Sequence, residues 1–196
     1  MHGRVGLQRR SRPDSIGHGG PADRIDQGAR QMTATPRRCY EPGHRPKFLV
    51  VVDETPECDR AVYFAARRAG RVGADVVLLA IAEPGDFEQW LGVSDVIKAE
   101  AAEEARERAE AAADRIRSVA GVEPEIVVHE GVPSEEIVAL IEADEDISLL
   151  ILAAGTGSDG PGPLVSSLAG KSAGSFAVPI AIVPGHLSDR DIDTLS

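Results

Sequence analysis

Cysteine, long apolar runs and positive charge are all scarce in this chain of 196 residues. Two cysteines are too few for a disulfide framework or a four-thiolate zinc site, so the composition gives no sign of a small, disulfide-stapled secreted domain. No apolar run approaches the roughly 20 residues of a membrane-spanning helix. The formal net charge of −11 disfavours general nucleic-acid binding. We therefore expect a cytoplasmic protein with no membrane or nucleic-acid partner.

The first part of the chain differs in composition from the rest. Residues 1–45 lack hydrophobic periodicity and are rich in Arg, Gly and Pro, so they cannot bury enough apolar surface to offset the entropy of ordering. We predict a disordered N-terminal extension over residues 1–45. A second interpretation is that translation starts at Met32, which makes residues 1–31 a mis-assigned start. We expect one folded domain over residues 46–185 and a polar tail over residues 186–196.

Beyond residue 46, short apolar runs alternate with helical periodicity. Continuous apolar runs are typical of strands buried on both faces, and they predict strands over residues 48–52, 76–81, 125–129, 147–152 and 179–183. Between them, the first helix is expected to start with Thr55 as its N-cap and Pro56 in its first turn. The later helices are predicted over residues 94–119, 133–142 and 164–176. Five such repeats predict an α/β fold, a parallel sheet with helices on both faces.

Ligands of parallel sheets bind at the carboxyl ends of the strands, and a loop rich in glycine follows the fourth predicted strand. Gly155, Gly157 and Gly160 match the pattern GxGxxG. Pro161 and Pro163 postpone the helix that a dinucleotide site requires at its glycines, which disfavours that function. Two interpretations remain open: the loop presents backbone N–H groups to an anion, or it is a tight surface turn.

Other reactive side chains favour structural interpretations. Cys58 falls in the first turn of a helix, which makes it a candidate redox-sensitive thiol, although a packed small residue is the simpler interpretation. His129 has neither a cysteine nor a second histidine nearby, so it predicts no metal site. The charged residues at positions 103–110 are interpreted as a solvated helix face. No Ser/His/Asp or Cys/His set falls at a strand end, so we expect no catalytic residues.

The order of these motifs resembles the universal stress protein family over about residues 46–185. The likeness lies in a strand ending at Asp53, the following Thr55-Pro56-Glu57, a second strand ending at Ile81, and a final strand, glycine loop, helix and strand that begins near Pro179. It implies a Rossmann-like fold with five parallel strands in the order 3-2-1-4-5. It also implies a homodimer.

One branch of that family binds ATP through a loop motif, G-x2-G-x9-G-[ST]. Counting back from Pro179 without gaps places its four positions at Ala153, Thr156, Ser166 and Ser167. Of these four residues, only Ser167 has the residue type that the family motif requires. Glycines lie close to the motif positions, at Gly155 and Gly157. The resemblance also places Asp53 beside the adenosine and Ile81 against the adenine. The nucleotide-binding residues that it implies are Asp53, Ile81, Ala153, Gly155, Thr156, Gly157, Ser166 and Ser167.

Two functions follow from these observations. The first is a stress-response protein that binds ATP or a related adenine nucleotide, with Mg²⁺ only alongside the nucleotide, and acts as a dimeric regulator with at most weak ATP hydrolysis. The second is a dimeric protein-interaction module of the same fold that binds no nucleotide. The altered loop motif favours the second, whereas the retained loop length favours the first. Residues 180–183 form an apolar edge strand that predicts pairing with a second copy.

Overall fold

The computed structural model describes residues 35–83, 94–158, 160–169 and 176–196. The strands in this part of the chain are β1 (Lys47–Val52), β2 (Asp75–Ala82), β3 (Glu125–Glu130), β4 (Ile147–Ala154) and β5 (Ile180–Pro184). The helices are α1 (Cys58–Val72), α2 (Ser94–Ala120), α3 (Pro133–Ala143), α4 (Pro163–Leu168) and α5 (Asp189–Leu195). Strand–helix alternation is therefore as predicted, with an additional helix after the last strand.

The five strands form one parallel sheet in the order β3-β2-β1-β4-β5, which confirms the expected fold. In the centre, Val50 of β1 lies opposite Leu78 of β2 on one side and Ile151 of β4 on the other. The chain steps outward from β1 to β3 and then crosses back to β4. The direction of strand addition thus reverses between β1 and β4, which is where open α/β sheets place their ligands.

Both faces of the sheet are covered. Successive residues of a strand point to opposite faces. On β1, Phe48, Val50 and Val52 belong to the apolar cluster that includes α1, α2 and α5. Leu49 and Val51 belong to the second cluster, with α3 and α4. A strand buried on both sides has no polar position, which is why its sequence is an unbroken apolar run.

The alanine-rich face of α2 packs inside the molecule. Ala105, Ala109 and Ala113 are fully buried in the cluster that contains α1. The two helices approach closely at their ends, where a Cβ built on Gly70 would lie 3.3 Å from the Cβ of Ala120. Small side chains on both helices permit this short separation. Helix α1 ends as expected at Gly73, whose φ of +72° lies in the left-handed region.

Two predicted helix boundaries are wrong. Helix α1 begins at Cys58, with Glu57 as its N-cap. Thr55 lies instead in the turn before the helix, where its N–H and its hydroxyl both donate to Asp53 Oδ1, at 2.9 and 2.6 Å. Helix α4 spans Pro163–Leu168, and Phe176 lies outside any helix, although the prediction extended to residue 176. Residues 170–175 of that prediction lie outside the described residues.

The segment before β1 contacts the domain, in contrast to the expected disorder of residues 1–45. Arg37 Nη1 donates to the carbonyl oxygens of Ile141 and Asp144 at the end of α3, at 2.6 and 2.8 Å. The last turn of a helix leaves carbonyl groups without intrahelical partners, and the guanidinium group satisfies two of them. Cys39 of the same segment is buried. Residues 1–34 lie outside the described residues.

The segment after β5 forms a helix where a polar tail was expected. Ser188 and Asp191 form a reciprocal capping box at the start of α5. Ile192 is fully buried in the cluster shared with α1. Polar contacts tie the two helices together: Arg60 Nη1 lies 2.6 Å from Asp189 Oδ1, and the Tyr63 hydroxyl donates to Asp193 Oδ1 at 3.1 Å. An apolar side chain, a cap and polar contacts to α1 together hold this short helix in place.

Ile192→Ala tests the docking of α5. Because Ile192 is fully buried, the substitution leaves a cavity, and we expect the free energy of unfolding to fall by about 2–5 kcal/mol. Leu195→Ala is the matched control, since Leu195 is 61% exposed on the same helix. Urea unfolding measures both. Equal, small effects of the two substitutions would contradict the packing of α5 on α1.

Asp189 predicts an acid-dependent loss of stability. Its hydrogen bond from Arg60, followed by the charges of Arg60 and Arg115, holds the pKa of this carboxyl below its usual value. A lowered folded-state pKa contributes stability that is complete above the unfolded-state pKa and is lost as pH falls through the folded-state pKa. Asp189→Asn should therefore destabilise the protein at neutral pH and have no effect in strong acid. Urea unfolding of both proteins across this range measures the difference, and a pH-independent difference would contradict the assignment.

Candidate functional site

A cleft of about 770 Å³ opens at the carboxyl ends of β1, β2 and β4. It lies beside the point between β1 and β4 where strand addition reverses. Its walls are the β1–α1 loop, the ends of β2 and β4, the start of α3, one side of α2 and the loop from β4 into α4. The volume falls within the range of small-molecule sites. The fold therefore supplies a cleft of small-molecule size at the predicted edge of the sheet.

The cleft brings together most of the residues implied by the family resemblance. Five of the eight line it: Asp53, Ile81, Ala153, Gly155 and Ser167. Ile81 is 8% exposed and contributes an apolar surface. The other three, Thr156, Gly157 and Ser166, are exposed and are not among the lining residues. The Ser166 hydroxyl instead donates to the carbonyl oxygen of Gly162 at 2.8 Å.

Asp53 shapes the loop that follows β1. Its Oδ1 atom accepts both donors of Thr55, so the chain turns at the strand end before α1 begins. This turn carries Glu54, Thr55 and Glu57 along the rim of the cleft. Asp53 thus has the structural role of closing a turn, and it also lines the cleft.

The glycine loop closes on itself. The Gly155 N–H donates to the carbonyl oxygen of Pro161, and the Gly160 N–H donates to that of Gly157, both at 3.3 Å. A Cβ on Gly155 would lie 3.1 Å from the Gly160 carbonyl oxygen, so the two arms meet too closely for a side chain to fit without adjustment. Two of the N–H groups expected to face an anion are therefore bonded within the loop. The observation favours the tight-turn interpretation for this part of the loop.

Charged residues line the same cleft, and only Asp53 among them was predicted as a binding residue. The described lining contains five carboxylate side chains, those of Asp53, Glu54, Glu57, Glu83 and Glu104. Arg108 is the single basic side chain in this described lining, and its Nη1 lies 2.9 Å from Glu54 Oε1. Both Glu104 and Arg108 belong to the α2 face that was interpreted as solvated; Glu104 is exposed, whereas Arg108 is partly buried, so the interpretation is wrong for Arg108. The described lining is acidic.

Cys58 lies beneath the cleft and is not a reactive thiol. It is 7% exposed, and its Sγ atom lies 3.9 Å from the carbonyl oxygen of Val51. Burial, which penalises the thiolate, raises the pKa of the thiol to about 11. The thiolate is the nucleophilic form, so the packed-residue interpretation describes Cys58 and the redox-sensitive interpretation does not.

His129 contacts a carboxylate, and the described residues form no cluster of metal ligands. His129 Nδ1 lies 2.9 Å from Glu136 Oε2, a contact between the end of β3 and the first turns of α3. Within the described ranges, no three His, Cys, Asp or Glu side chains are grouped to hold a metal ion. Across the same ranges, no helix is both long enough and apolar enough to cross a bilayer.

Comparison with known proteins bears on the fold. The model of the universal stress protein family matches residues 44–184. The universal stress protein UspA from Lactobacillus plantarum is 18% identical, with 70% of this chain and 97% of that chain aligned and a TM-score of 0.59. A universal stress protein from Archaeoglobus fulgidus is 20% identical, with 70% and 93% aligned and a TM-score of 0.54. At these identities the likeness to the solved structures shows the fold alone. No curated protein matches this chain in sequence.

Alkylation tests the state of Cys58. Because burial raises its pKa to about 11, we expect iodoacetamide to label Cys58 slowly at neutral pH and faster as the pH approaches that value. Peptide mass mapping separates it from Cys39. The same chain unfolded in urea is the control, since an unfolded thiol has a pKa of about 8.5. Equal labelling rates in the folded and unfolded chains at neutral pH would contradict the burial.

Proposed function

Because the chain belongs to the universal stress protein family, we propose that its cleft binds an adenine nucleotide and that this binding regulates a cytoplasmic homodimer. The observation that carries the proposal is the convergence of five implied nucleotide-binding residues on one cleft of about 770 Å³. Asp53 and Gly155 directly follow β1 and β4, and the other three belong to β2, β4 and α4, so only the folded sheet brings the five together. The function of such a protein is ligand-dependent regulation, with at most weak ATP hydrolysis.

The nucleoside end of the cleft supports this proposal. Ile81 and Ala82 end β2, and Val132 and Pro133 begin the opposite wall at α3. Together they provide apolar surface against which an adenine ring is able to lie. Asp53 stands at the end of the neighbouring strand. A carboxylate there accepts hydrogen bonds from hydroxyl or amino groups of an adenosine.

The phosphate end lies toward α4. Ser167 lines the cleft and is exposed, so its hydroxyl is accessible to a bound ligand. Ala153 and Gly155 line the cleft beside it. We expect Mg²⁺ to enter this site bound to the nucleotide.

Regulation follows from the two loops that meet at the cleft. A ligand that contacts both the β1–α1 loop and the β4–α4 loop favours conformations in which these loops are close together. Such a ligand shifts the population only by its difference in affinity between states. Binding, and not bond cleavage, is therefore the proposed event.

The edge of the sheet supports the proposed dimer. Among the described strands, β5 pairs with β4 and stands at the edge of the sheet, and Ile182 on it is 41% exposed. An edge strand presents unpaired backbone groups, and an apolar one is readily covered by a second copy. We propose that two chains pair through β5.

A second function is favoured by a different observation. The glycine loop satisfies two of its own N–H groups, and Thr156 and Gly157 lie outside the cleft lining. A chain of this fold that binds no nucleotide would act through its dimer and partner surfaces as a protein-interaction module. The experiment below separates the two functions.

Nucleotide binding is tested on the full chain. We expect adenine nucleotide to be released on denaturing the purified protein, or AMP or Mg²⁺–ATP to bind with micromolar affinity by calorimetry. Asp53→Ala should weaken binding by about tenfold or more, since it removes a hydrogen-bonding group from the cleft. Glu100→Ala is the matched control, because Glu100 is exposed on α2 and outside the cleft.

Thermal unfolding of Asp53→Ala checks that the altered turn leaves the fold intact, and light scattering on the same preparation measures the mass of the assembly. Absence of bound nucleotide together with no heat at millimolar AMP or Mg²⁺–ATP would contradict the proposal and favour the interaction module. A monomeric mass would contradict the dimer.

A further inference from the structure

Glu57 occupies the part of the cleft next to the glycine loop. A Cβ built on Gly155 would lie 3.8 Å from Glu57 Oε1. On the other side, a Cβ on Gly185 would overlap Glu57 Cγ, so only glycine leaves room for this side chain. The carboxylate is thus seated between the loop after β4 and the residue after β5.

The carboxylate of Glu57 is not neutralised by a partner. Its neighbour Glu54 is paired with Arg108, whose Nη1 lies 2.9 Å away. Within the described residues, Glu57 makes no ion pair and its side chain accepts no hydrogen bond. The one basic group of the described lining is therefore already paired with another carboxylate, and the charge beside the glycine loop stays uncompensated.

A polyphosphate bound in this cleft lies close to the carboxylates that line it. Coulombic repulsion grows with the charge of the ligand and with its proximity. Adenosine carries no charge, AMP carries one phosphate group, and uncomplexed ATP carries the most negative charge of the three. The loop offers little compensation, because the Gly155 and Gly160 N–H groups are bonded to loop carbonyl oxygens.

We propose that this cleft selects adenine ligands of low negative charge, nucleosides and nucleoside monophosphates, over uncomplexed ATP, and that Glu57 determines this selectivity. The inference rests on the proposed adenine-binding function. ATP enters the cleft as its Mg²⁺ complex, in which the cation offsets part of the phosphate charge. Glu57 is a specificity residue here and performs no chemistry.

Calorimetry of the full chain at low ionic strength tests the selectivity. The probes are adenosine, AMP, ATP with a chelator, and ATP with Mg²⁺. We expect AMP to bind more tightly than chelator-treated ATP by about tenfold, with the gap narrowing in Mg²⁺ or in high salt. Tighter binding of chelator-treated ATP than of AMP would overturn the inference while leaving the proposed function intact.

Glu57→Gln tests the contribution of the Glu57 charge to the selectivity. The amide keeps the size of the side chain, so we expect affinity for chelator-treated ATP to rise by about threefold to tenfold and affinity for adenosine to stay unchanged. Glu103→Gln makes the same charge change on the exposed side of α2, outside the cleft.

Equal effects of the two substitutions would overturn the role of Glu57. The ranking of the four affinities is measured on the wild-type protein, so it still tests the selectivity if Glu57→Gln does not fold. Failure of all four probes to bind would overturn the proposed function itself, and the selectivity with it.

Discussion

Burial of β1 on both faces is the constraint on which the rest of the structure depends. Five of its six residues are buried, in two clusters on opposite sides of the sheet. Helices must therefore cover both faces, which requires crossover connections and parallel strands. Parallel strands end at one edge, so the loops after β1, β2 and β4 meet there. The cleft is a consequence of the way the core is covered.

Much of the fold was predictable because buried strands and their glycine stops are local signals. The five strands and their implied order are confirmed. The errors arise where a side chain has two possible partners or a distant one. Thr55 is a good cap in isolation, but in the structure it belongs to a turn closed by Asp53, ahead of the first residue of α1. The sequence places Arg37 in a segment that is predicted to be disordered. In the structure its partners are carbonyl groups more than a hundred residues away along the chain.

The candidate site was predictable in its location and only in part in its chemistry. Asp53 and Ile81 end adjacent strands, so the topology alone places them together. Glu104 and Arg108 belong to no motif, and charged side chains on a helix are ordinarily solvated. Which turn of α2 faces the cleft depends on how α2 crosses the sheet, and no spacing along the chain encodes that. The acidic character of the cleft emerges only from the assembled fold.

The contacts of Arg37 and Ile192 define a cooperative unit larger than the part that resembles other proteins. The family match spans residues 44–184, so it contains neither the guanidinium group that completes α3 nor the isoleucine that α5 buries. A fragment cut at the family boundaries would expose helix carbonyls at one end and an apolar hollow at the other. The segments outside the shared fold thus stabilise it. A domain boundary drawn from the family match alone would leave them out.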